Sequence, residues 1–209
     1  MQTAEQGPGL RGLILAAGLS SRMGEFKPLL PLRGRTVIEN TVDSMLSGGA
    51  AAVTVVAGYR GEELSALLEA RYGGQVRVVR NPDYAGTDML RSVQIGCRAL
   101  GDCGGFFLLP GDMPLVGRET FRRLTAAWSP EHVVFPTLDG RRRHPPLIGS
   151  RLVPEILAFR GDGGLRELWR RHEEWIRTVP ADDEGVRVDL DTREDYRRCR
   201  EQFETEMGG

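Results

Sequence analysis

The sequence predicts a single doubly wound α/β domain with a mostly parallel sheet and helices on both faces. Short apolar runs alternate along the chain with stretches of helical periodicity, a pattern typical of parallel strands joined by crossover helices. The length of 209 residues suits one such domain and is enough to bury a substantial core. We see no repeat and no linker that would divide the chain. We therefore expect a flexible N-terminal tail over residues 1–11 and one domain over residues 12–209.

The first half of the chain carries clear helix and strand signals. Thr36 and Glu39 form a capping-box pair, which predicts a helix that starts at Thr36 and ends at the Gly48-Gly49 pair. Residues 53–57, Val-Thr-Val-Val-Ala, are largely β-branched and predict a strand. The Asn81-Pro82 pair interrupts regular structure. The other elements predicted here are strands at 13–16 and 76–79 and a helix at 62–70.

The second half continues the same alternation. Residues 106–109, Phe-Phe-Leu-Leu, are continuously apolar and predict a fully buried strand. Val-Arg-Val-Asp-Leu at 186–190 predicts a further strand, and Thr192 with Asp195 predicts the cap of a last helix. His132 and His172 fall within these patterns, and we expect both to be structural. The other elements predicted here are helices at 88–100, 118–128, 153–159 and 165–172 and a strand at 132–135.

Composition and charge narrow the class of protein. With 28 basic and 29 acidic residues the net charge is −1, so no global field would recruit nucleic acid or an anionic membrane. Nothing approaches 18 consecutive apolar residues, and the start MQTAEQGPGL is too polar and too rich in Gly and Pro for a signal peptide. The three cysteines lie in no CxxC pair, and their odd number argues against a disulfide framework. We expect a cytoplasmic protein with incidental thiols.

The turn after the first strand resembles a phosphate cradle. The glycine pattern at residues 7–12 precedes that strand, so it cannot be a dinucleotide fingerprint, and the spacing around Lys27 does not fit a Walker A loop. Small residues here let backbone N–H groups approach an anion, while hydroxyls and cations add donors. The alternative is a solvated turn whose cations face water. The residues concerned are Ala16, Ala17, Gly18, Ser20, Ser21, Arg22 and Lys27.

Acidic residues mark two further strand ends. Asp112 directly follows the buried strand at 106–109, where a carboxylate can hold Mg²⁺ together with substrate phosphates. It could equally be a turn former or a helix cap. Asp189 and Asp191 alternate along a predicted strand, which would put them on one face and let them complete a metal site with Asp112. Their alternative is an exposed strand edge and a helix cap.

Two loops later in the chain could meet a second substrate. Residues 141–143 are three consecutive arginines, followed by His144. This segment could bind a phosphorylated acceptor, or it could be a solvated turn. The turn containing Asp162 and Gly163 could hold an anionic or polar substrate, or it could serve only as a turn. A phosphate cradle and a cation site without an evident nucleophile suggest in-line attack of one phosphate on another.

Five segments together resemble the MobA-like nucleotidyltransferases, and more closely the branch that transfers cytidylyl groups to the molybdenum cofactor. They occur in the order of that family and run from residue 13 to about residue 196. The resemblance implies a single Rossmann-like nucleotidyltransferase domain. The matching segments are LAAGLSSRMGEFKPLLPLRGR, GDMPLV, GRRRHPPLI, GDGGLREL and VDLDTREDY.

The resemblance also implies roles for individual residues. Mg²⁺ would bind Asp112, assisted by Asp189 or Asp191, while Arg22 and Lys27 neutralise the leaving pyrophosphate. The acceptor, a pterin that carries a terminal phosphate, would face His144, Asp162 and Gly163. Transient contact with a molybdoenzyme or its chaperone is implied as well. The residues implied for the nucleotide are Leu15, Ala16, Ala17, Gly18, Ser20, Ser21, Arg22, Lys27, Thr87, Asp88, Ser92 and Asp112.

Base and acceptor are the least constrained parts of this prediction. The Ala-Ala-Gly form at residues 16–18 is similar to cytidylyl enzymes, which favours CTP over GTP. Residues 86–92 depart from the Gly-Met-Ser-Ser-Leu type of segment common in the family, and Pro146 stands where Val is common. Alternatives are a sugar or polyol phosphate acceptor, GTP as donor, or a non-catalytic module that binds nucleotide or cofactor and delivers it.

Overall fold

The computed structural model describes residues 9–18, 25–86 and 88–207, with side chains to residue 201. Within this part of the chain, an eight-stranded sheet forms the centre in the order β10-β7-β9-β6-β1-β4-β5, with β8 paired to β7. A small antiparallel hairpin, β2 and β3, lies apart from it. The strands are β1 Leu10–Ala16, β2 Pro31–Leu32, β3 Arg35–Thr36, β4 Val53–Ala57, β5 Val76–Arg80, β6 Gly105–Pro110, β7 Val133–Leu138, β8 Arg141–Arg142, β9 Leu147–Gly149 and β10 Ile176–Pro180.

The sheet is mostly parallel, as predicted. Strands β5, β4, β1 and β6 run in one direction, and β10 is parallel to β7. Strands β9 and β8 are the exceptions: β9 pairs antiparallel with both β6 and β7, and β8 pairs antiparallel with β7. The central strand β1 pairs with β4 on one side and β6 on the other, so the chain order reverses at β1. Open α/β sheets bind ligands at such a switch point.

Helices cover both faces of the sheet, also as predicted. Side chains of α1, α2 and α4 pack in one core with alternate residues of β1 and β6, among them Ile14 and Phe107. Side chains of α3, α5 and α6 pack in a second core with the intervening residues, among them Leu13 and Phe106. The helices are α1 Val37–Ser47, α2 Gly61–Tyr72, α3 Met89–Ala99, α4 Arg118–Ala126, α5 Val153–Ala158, α6 Gly164–Arg171 and α7 Arg193–Met207.

Capping residues set several of these boundaries. Thr36 caps α1 with both bonds of a capping box, and Gly48 ends that helix, as predicted. The carboxylate of Asp88 accepts from the backbone N–H of Arg91 and so starts α3. Thr192 and Asp195 form the predicted reciprocal bonds ahead of α7. Local sequence therefore fixes the starts of three helices around the sheet.

The predicted strand at residues 186–190 is wrong. A 3-10 turn occupies Glu184–Arg187, and the edge of the sheet is formed instead by β10, which we did not predict. Asp183 anchors the turn, because its carboxylate accepts from Gly117 N at 2.8 Å, Gly185 N at 2.9 Å and the Thr120 hydroxyl at 2.6 Å. Leu190 is fully buried in a small third core. The alternating apolar residues of this segment are therefore explained by the burial of their side chains and not by pairing in the sheet.

The C-terminal segment closes over the hairpin of β2 and β3. Leu190 and Cys199 pack with Leu30, Leu32 and Val37 in the third core, and the Tyr196 hydroxyl donates to the backbone carbonyl of Pro31. The described cysteines Cys97, Cys103 and Cys199 are free thiols. Among the described helices, none has both the length and the apolar character needed to cross a membrane.

Candidate functional site

The carboxyl ends of β1 and β6 bring the two main predicted motifs together. Ala17 and Gly18 follow β1, and Gly111 and Asp112 follow the adjacent strand β6. The backbone N–H of Gly111 donates to the carbonyl of Leu15 at 2.9 Å, which ties the two turns to each other. Among the described residues other than its chain neighbours, none has an atom within 4 Å of a Cβ built at Gly18, so these residues leave space in front of its backbone. That arrangement suits the close approach of an anion.

A cavity of about 310 Å³ opens between these turns and the start of α3. Every described residue that we predicted for nucleotide binding lies in its wall. Sequence reasoning missed Pro28, Tyr84, Met89, Pro110 and Gly111, each of which is a near neighbour in sequence of a predicted residue or motif. Predicted residues Ser20, Ser21, Arg22 and Thr87 lie outside the described residues. The lining comprises Leu15, Ala16, Ala17, Gly18, Lys27, Pro28, Tyr84, Asp88, Met89, Ser92, Pro110, Gly111 and Asp112.

Lys27 lies between two carboxylates at one side of this cavity. Its ammonium donates to Asp191 Oδ1 at 2.8 Å and to Asp112 Oδ2 at 3.2 Å. The lysine side chain is only 11% exposed, whereas that of Asp191 is 46% exposed. Burial lowers the pKa of Lys27, but the hydrogen bonds and charges of Asp191 and Asp112 outweigh it and raise the pKa above its ordinary value. The amine is therefore held as a cation.

Asp189 and Asp191 reach the site in a different way from that predicted. They do not alternate along a strand; instead the backbone N–H of Leu190 between them donates to the carbonyl of Asp112 at 3.1 Å. This bond fixes Asp191 beside Lys27. Burial, together with repulsion from Asp191 and Asp112, raises the pKa of Asp189 above its usual value. Three carboxylates thus share one electrostatic environment, and of the pair Asp189 and Asp191 it is Asp191 that contacts Lys27.

The donor set fits a hard divalent cation that also binds substrate. Asp112 and Asp191 offer only oxygen ligands, and their contact with one ammonium shows that both can approach a single cation. Within the described residues, no group of three or more His, Cys, Asp or Glu side chains forms a preassembled metal centre. Mg²⁺ commonly binds through one or two carboxylates and completes its octahedron with waters and substrate phosphates. The residues present match that mode of binding.

The start of α3 forms the opposite wall of the cavity. Asp88 caps the helix, and the Ser92 hydroxyl accepts from the buried Asn81 amide at 3.1 Å. Met89, next to the cap, is 57% exposed although it is large and apolar. The Asp88 carboxylate is engaged in the helix cap, and the exposed apolar side chain of Met89 lies next to it. This wall therefore offers a surface suited to a base or a ribose.

A second, larger cavity of about 650 Å³ adjoins the first and shares Asp88 and Met89 with it. The three residues that we predicted for the acceptor, His144, Asp162 and Gly163, all line it. The remaining lining is Leu90, Leu108, Phe135, Arg142, Pro146, Gly164, Leu165, Arg166, Trp169, Arg170 and Glu173. The lining combines the aromatic rings of Phe135 and Trp169 with several arginines, which suits a planar anionic ligand better than a purely polar one.

The arginine-rich segment at residues 141–143 is partly neutralised by a carboxylate in this second cavity. Arg142 donates to both carboxylate oxygens of Glu173, at 3.1 and 2.6 Å, and its guanidinium lies 5.7 Å from the centre of the Phe135 ring. Burial lowers the pKa of His144, whose Nδ1 lies 3.5 Å from the carbonyl oxygen of Leu108. His144 is therefore held as a neutral imidazole in the wall of this second cavity. Sequence reasoning did not assign Phe135 or Trp169 to this site because they follow ordinary core patterns.

The fold and the site define a class: an open α/β domain whose cavity at the switch point of the sheet is lined by a small-residue turn, a lysine and carboxylates. Comparison with known proteins then places the chain more closely. Residues 12–175 match the MobA-like NTP transferase domain, and the chain belongs to that nucleotidyltransferase family. Asp189 and Asp191 lie beyond the matched range, so the last part of the site is contributed from outside it.

Two curated relatives match nearly the whole chain and carry different activities in their names. The molybdenum cofactor cytidylyltransferase of Escherichia coli is 29% identical over 91% of this chain and 95% of its own length. The nicotine blue oxidoreductase of Paenarthrobacter nicotinovorans is 30% identical over 91% of this chain and 96% of its own length. Whole-chain similarity at this level therefore goes with more than one named activity.

Solved structures confirm the fold. A nucleotidyl transferase from Methanothermobacter superposes with a TM-score of 0.81 and 32% identity, covering 96% of this chain and all of its own. The Rv0371c protein of Mycobacterium tuberculosis, in a complex with manganese, superposes with a TM-score of 0.76 and 26% identity, covering 94% of this chain and 100% of its own. The Rossmann-like domain predicted from the sequence is thereby established.

Proposed function

We propose that this protein transfers a nucleoside monophosphate from an NTP, with CTP preferred, to the phosphate of a molybdopterin-type cofactor. One observation carries the proposal: a cradle-and-carboxylate cavity adjoins a larger aromatic and basic cavity, and Asp88 and Met89 line both. A donor nucleotide and an acceptor placed in the two cavities would meet at this shared wall. The similarity to the Escherichia coli cytidylyltransferase supports the choice of base and acceptor.

The reaction that follows is an in-line displacement at the α-phosphorus. An oxygen of the acceptor phosphate forms the new bond, the bond from the α-phosphorus to the oxygen bridging to the β-phosphorus breaks, and pyrophosphate leaves with that electron pair. Backbone N–H groups of the turn at Ala17 and Gly18 would orient the triphosphate. Lys27, and Arg22, which lies between Gly18 and Lys27 in the sequence, would neutralise charge that builds up on the leaving group.

The proposed reaction also needs a divalent cation at the phosphates. Asp112, assisted by Asp191, would hold Mg²⁺, which when bound supplies positive charge that the phosphates need in the transition state. Asp189, with its raised pKa, adds to the negative potential of the same corner. The manganese complex of the mycobacterial relative supports a divalent ion in this family fold.

The acceptor side would recognise shape and charge together. Asp162 and Gly163 lie at the start of α6, and Arg142 and Trp169 lie in the same cavity wall. A flat heteroaromatic ring stacks on aromatic side chains, and a terminal phosphate is bound by arginine. His144 is neutral at this position, so it would hydrogen-bond the acceptor without adding charge.

The direct test is pyrophosphate release with Mg²⁺ from CTP, GTP and ATP, each paired with molybdopterin or with sugar and polyol phosphates. Release with CTP and molybdopterin alone supports the proposal. Release with a sugar phosphate assigns a different acceptor, and nucleotide binding without release in any pairing favours a delivery module. Asp112→Ala and Lys27→Ala should each remove most turnover in a folded protein, whereas Asp102→Ala, at an exposed aspartate away from the cavity, should not.

A further inference from the structure

Lys27 occupies the position that a cation would need. It is the single lysine among the 28 basic residues of the chain, the others being arginines. Its side chain is 11% exposed, and its ammonium bridges Asp112 and Asp191, the two carboxylates assigned above to a divalent metal. The same lysine also lines the cavity assigned to the nucleotide. One ammonium thus has access both to the metal ligands and to the phosphate position.

We propose that Lys27 makes metal binding and nucleotide binding depend on each other, an inference that rests on the proposed nucleotide function of this cavity. While nucleotide is absent, Lys27 neutralises Asp112 and Asp191, and a free divalent cation has to displace it. When an NTP enters, its phosphates give the ammonium a new anionic partner. The two carboxylates then become available to the cation that accompanies the nucleotide.

Elementary electrostatics supports this exchange. An ammonium and a divalent cation repel each other strongly when they share the same oxygen atoms in a partly buried site. Lysine is suited to the exchange because its charge is compact and sits on a flexible four-carbon stem, whereas a guanidinium is held by its planar fork. Linkage requires that the nucleotide raise metal affinity by the same factor as the metal raises nucleotide affinity, typically about 5- to 150-fold.

The first experiment measures Mn²⁺ binding without nucleotide, by electron paramagnetic resonance of the free ion. Lys27→Met keeps the length of the side chain and removes the charge, and it should bind Mn²⁺ at least about 10-fold more tightly than the wild type. Lys27→Arg keeps the charge and should stay within about threefold of the wild type. Equal Mn²⁺ affinities in the wild type and Lys27→Met would overturn the proposal.

The second experiment needs no variant, so it stands even if Lys27→Met does not fold. Lysine labelled with carbon-13 at Cε gives one side-chain signal, because the chain has one lysine. With EDTA present, α,β-methylene CTP should shift this signal, whereas millimolar Mg²⁺ alone should leave it unchanged. A shift on adding Mg²⁺ alone, or none on adding nucleotide, contradicts the exchange.

The two experiments separate this inference from the proposed function. A protein that binds the CTP analogue and Mn²⁺ independently keeps the proposed function and loses the coupling. A protein that binds no nucleotide at all loses both.

Discussion

Replacing Gly58 by alanine should displace two residues that line the proposed nucleotide cavity, although Gly58 itself does not line it. Gly58 is buried directly after β4, next to the turn that follows β1. A Cβ at this position would lie 2.6 Å from the carbonyl oxygen of Ala17 and 2.6 Å from Cβ of Tyr84. Ordinary contacts begin at 3.4 Å, so these atoms have to separate by 3.4 − 2.6 = 0.8 Å. Both neighbours line the cavity, and the displacement is therefore passed to the cradle.

The size of the effect follows from that displacement. A misplacement near 1 Å at a reacting centre costs on the order of 100-fold in rate, so we expect kcat/KM for the nucleotide to fall about 10- to 100-fold. Overpacking should also cost about 1–3 kcal/mol of stability, which a domain with about 5–15 kcal/mol tolerates.

Steady-state pyrophosphate release and calorimetric nucleotide binding measure the first effect in Gly58→Ala, and urea unfolding measures the second. Gly74→Ala is the matched control, because a Cβ there meets no atom within 4 Å among the described residues and should change neither quantity appreciably. If Gly58→Ala binds and turns over nucleotide like the wild type, the contact between Gly58 and the cradle does not constrain the site, and the reasoning fails.

Three further predictions concern stability. Asp183→Ala leaves backbone and hydroxyl donors without their acceptor and should cost about 1–3 kcal/mol in urea unfolding, while Asp182→Ala, whose side chain is 85% exposed, should cost little. Phe121→Ala empties a fully buried site in the first core and should cost about 3–5 kcal/mol by the same measurement. Because burial lowers the pKa of His144 below 6.5, the unfolded state takes up that proton first as pH falls. Stability should therefore decline below pH 6.5, and His144→Asn should flatten that part of the plot of Tm against pH; an unchanged slope would contradict the buried neutral imidazole.

Sequence reasoning succeeded where the signal was local. The capping box at Thr36 and Glu39 and the β-branched run of β4 carry their structures in adjacent residues, so both were predictable. The position of Asp112 beside the turn that follows β1 was also predictable, because parallel strands end at a common edge and residues 106–109 before it are continuously apolar.

The errors arose where structure depends on distant partners. Strand β10 has only one buried residue, so its sequence does not show the alternation of a half-buried strand. Its extended conformation depends instead on its pairing with β7. Strand β9 has three residues, too few for any periodicity. The segment at 186–190 shows the alternation but pairs with no strand of the described residues. The contact of Asp191 with Lys27 spans 164 residues, which no local pattern encodes.

That separation bears on how the protein matures. Gly18 and Asp112 lie in the turns that follow two strands at the middle of the sheet, whereas Asp191 comes from the segment that leads into the last helix. Contacts of such high sequence separation form late in folding, since a long loop must close first. A chain still lacking its final residues could have a folded sheet and an incomplete cation site. Removal of the same residues by a protease would produce the same species. Intact secondary structure would therefore not by itself show that the cation site is complete.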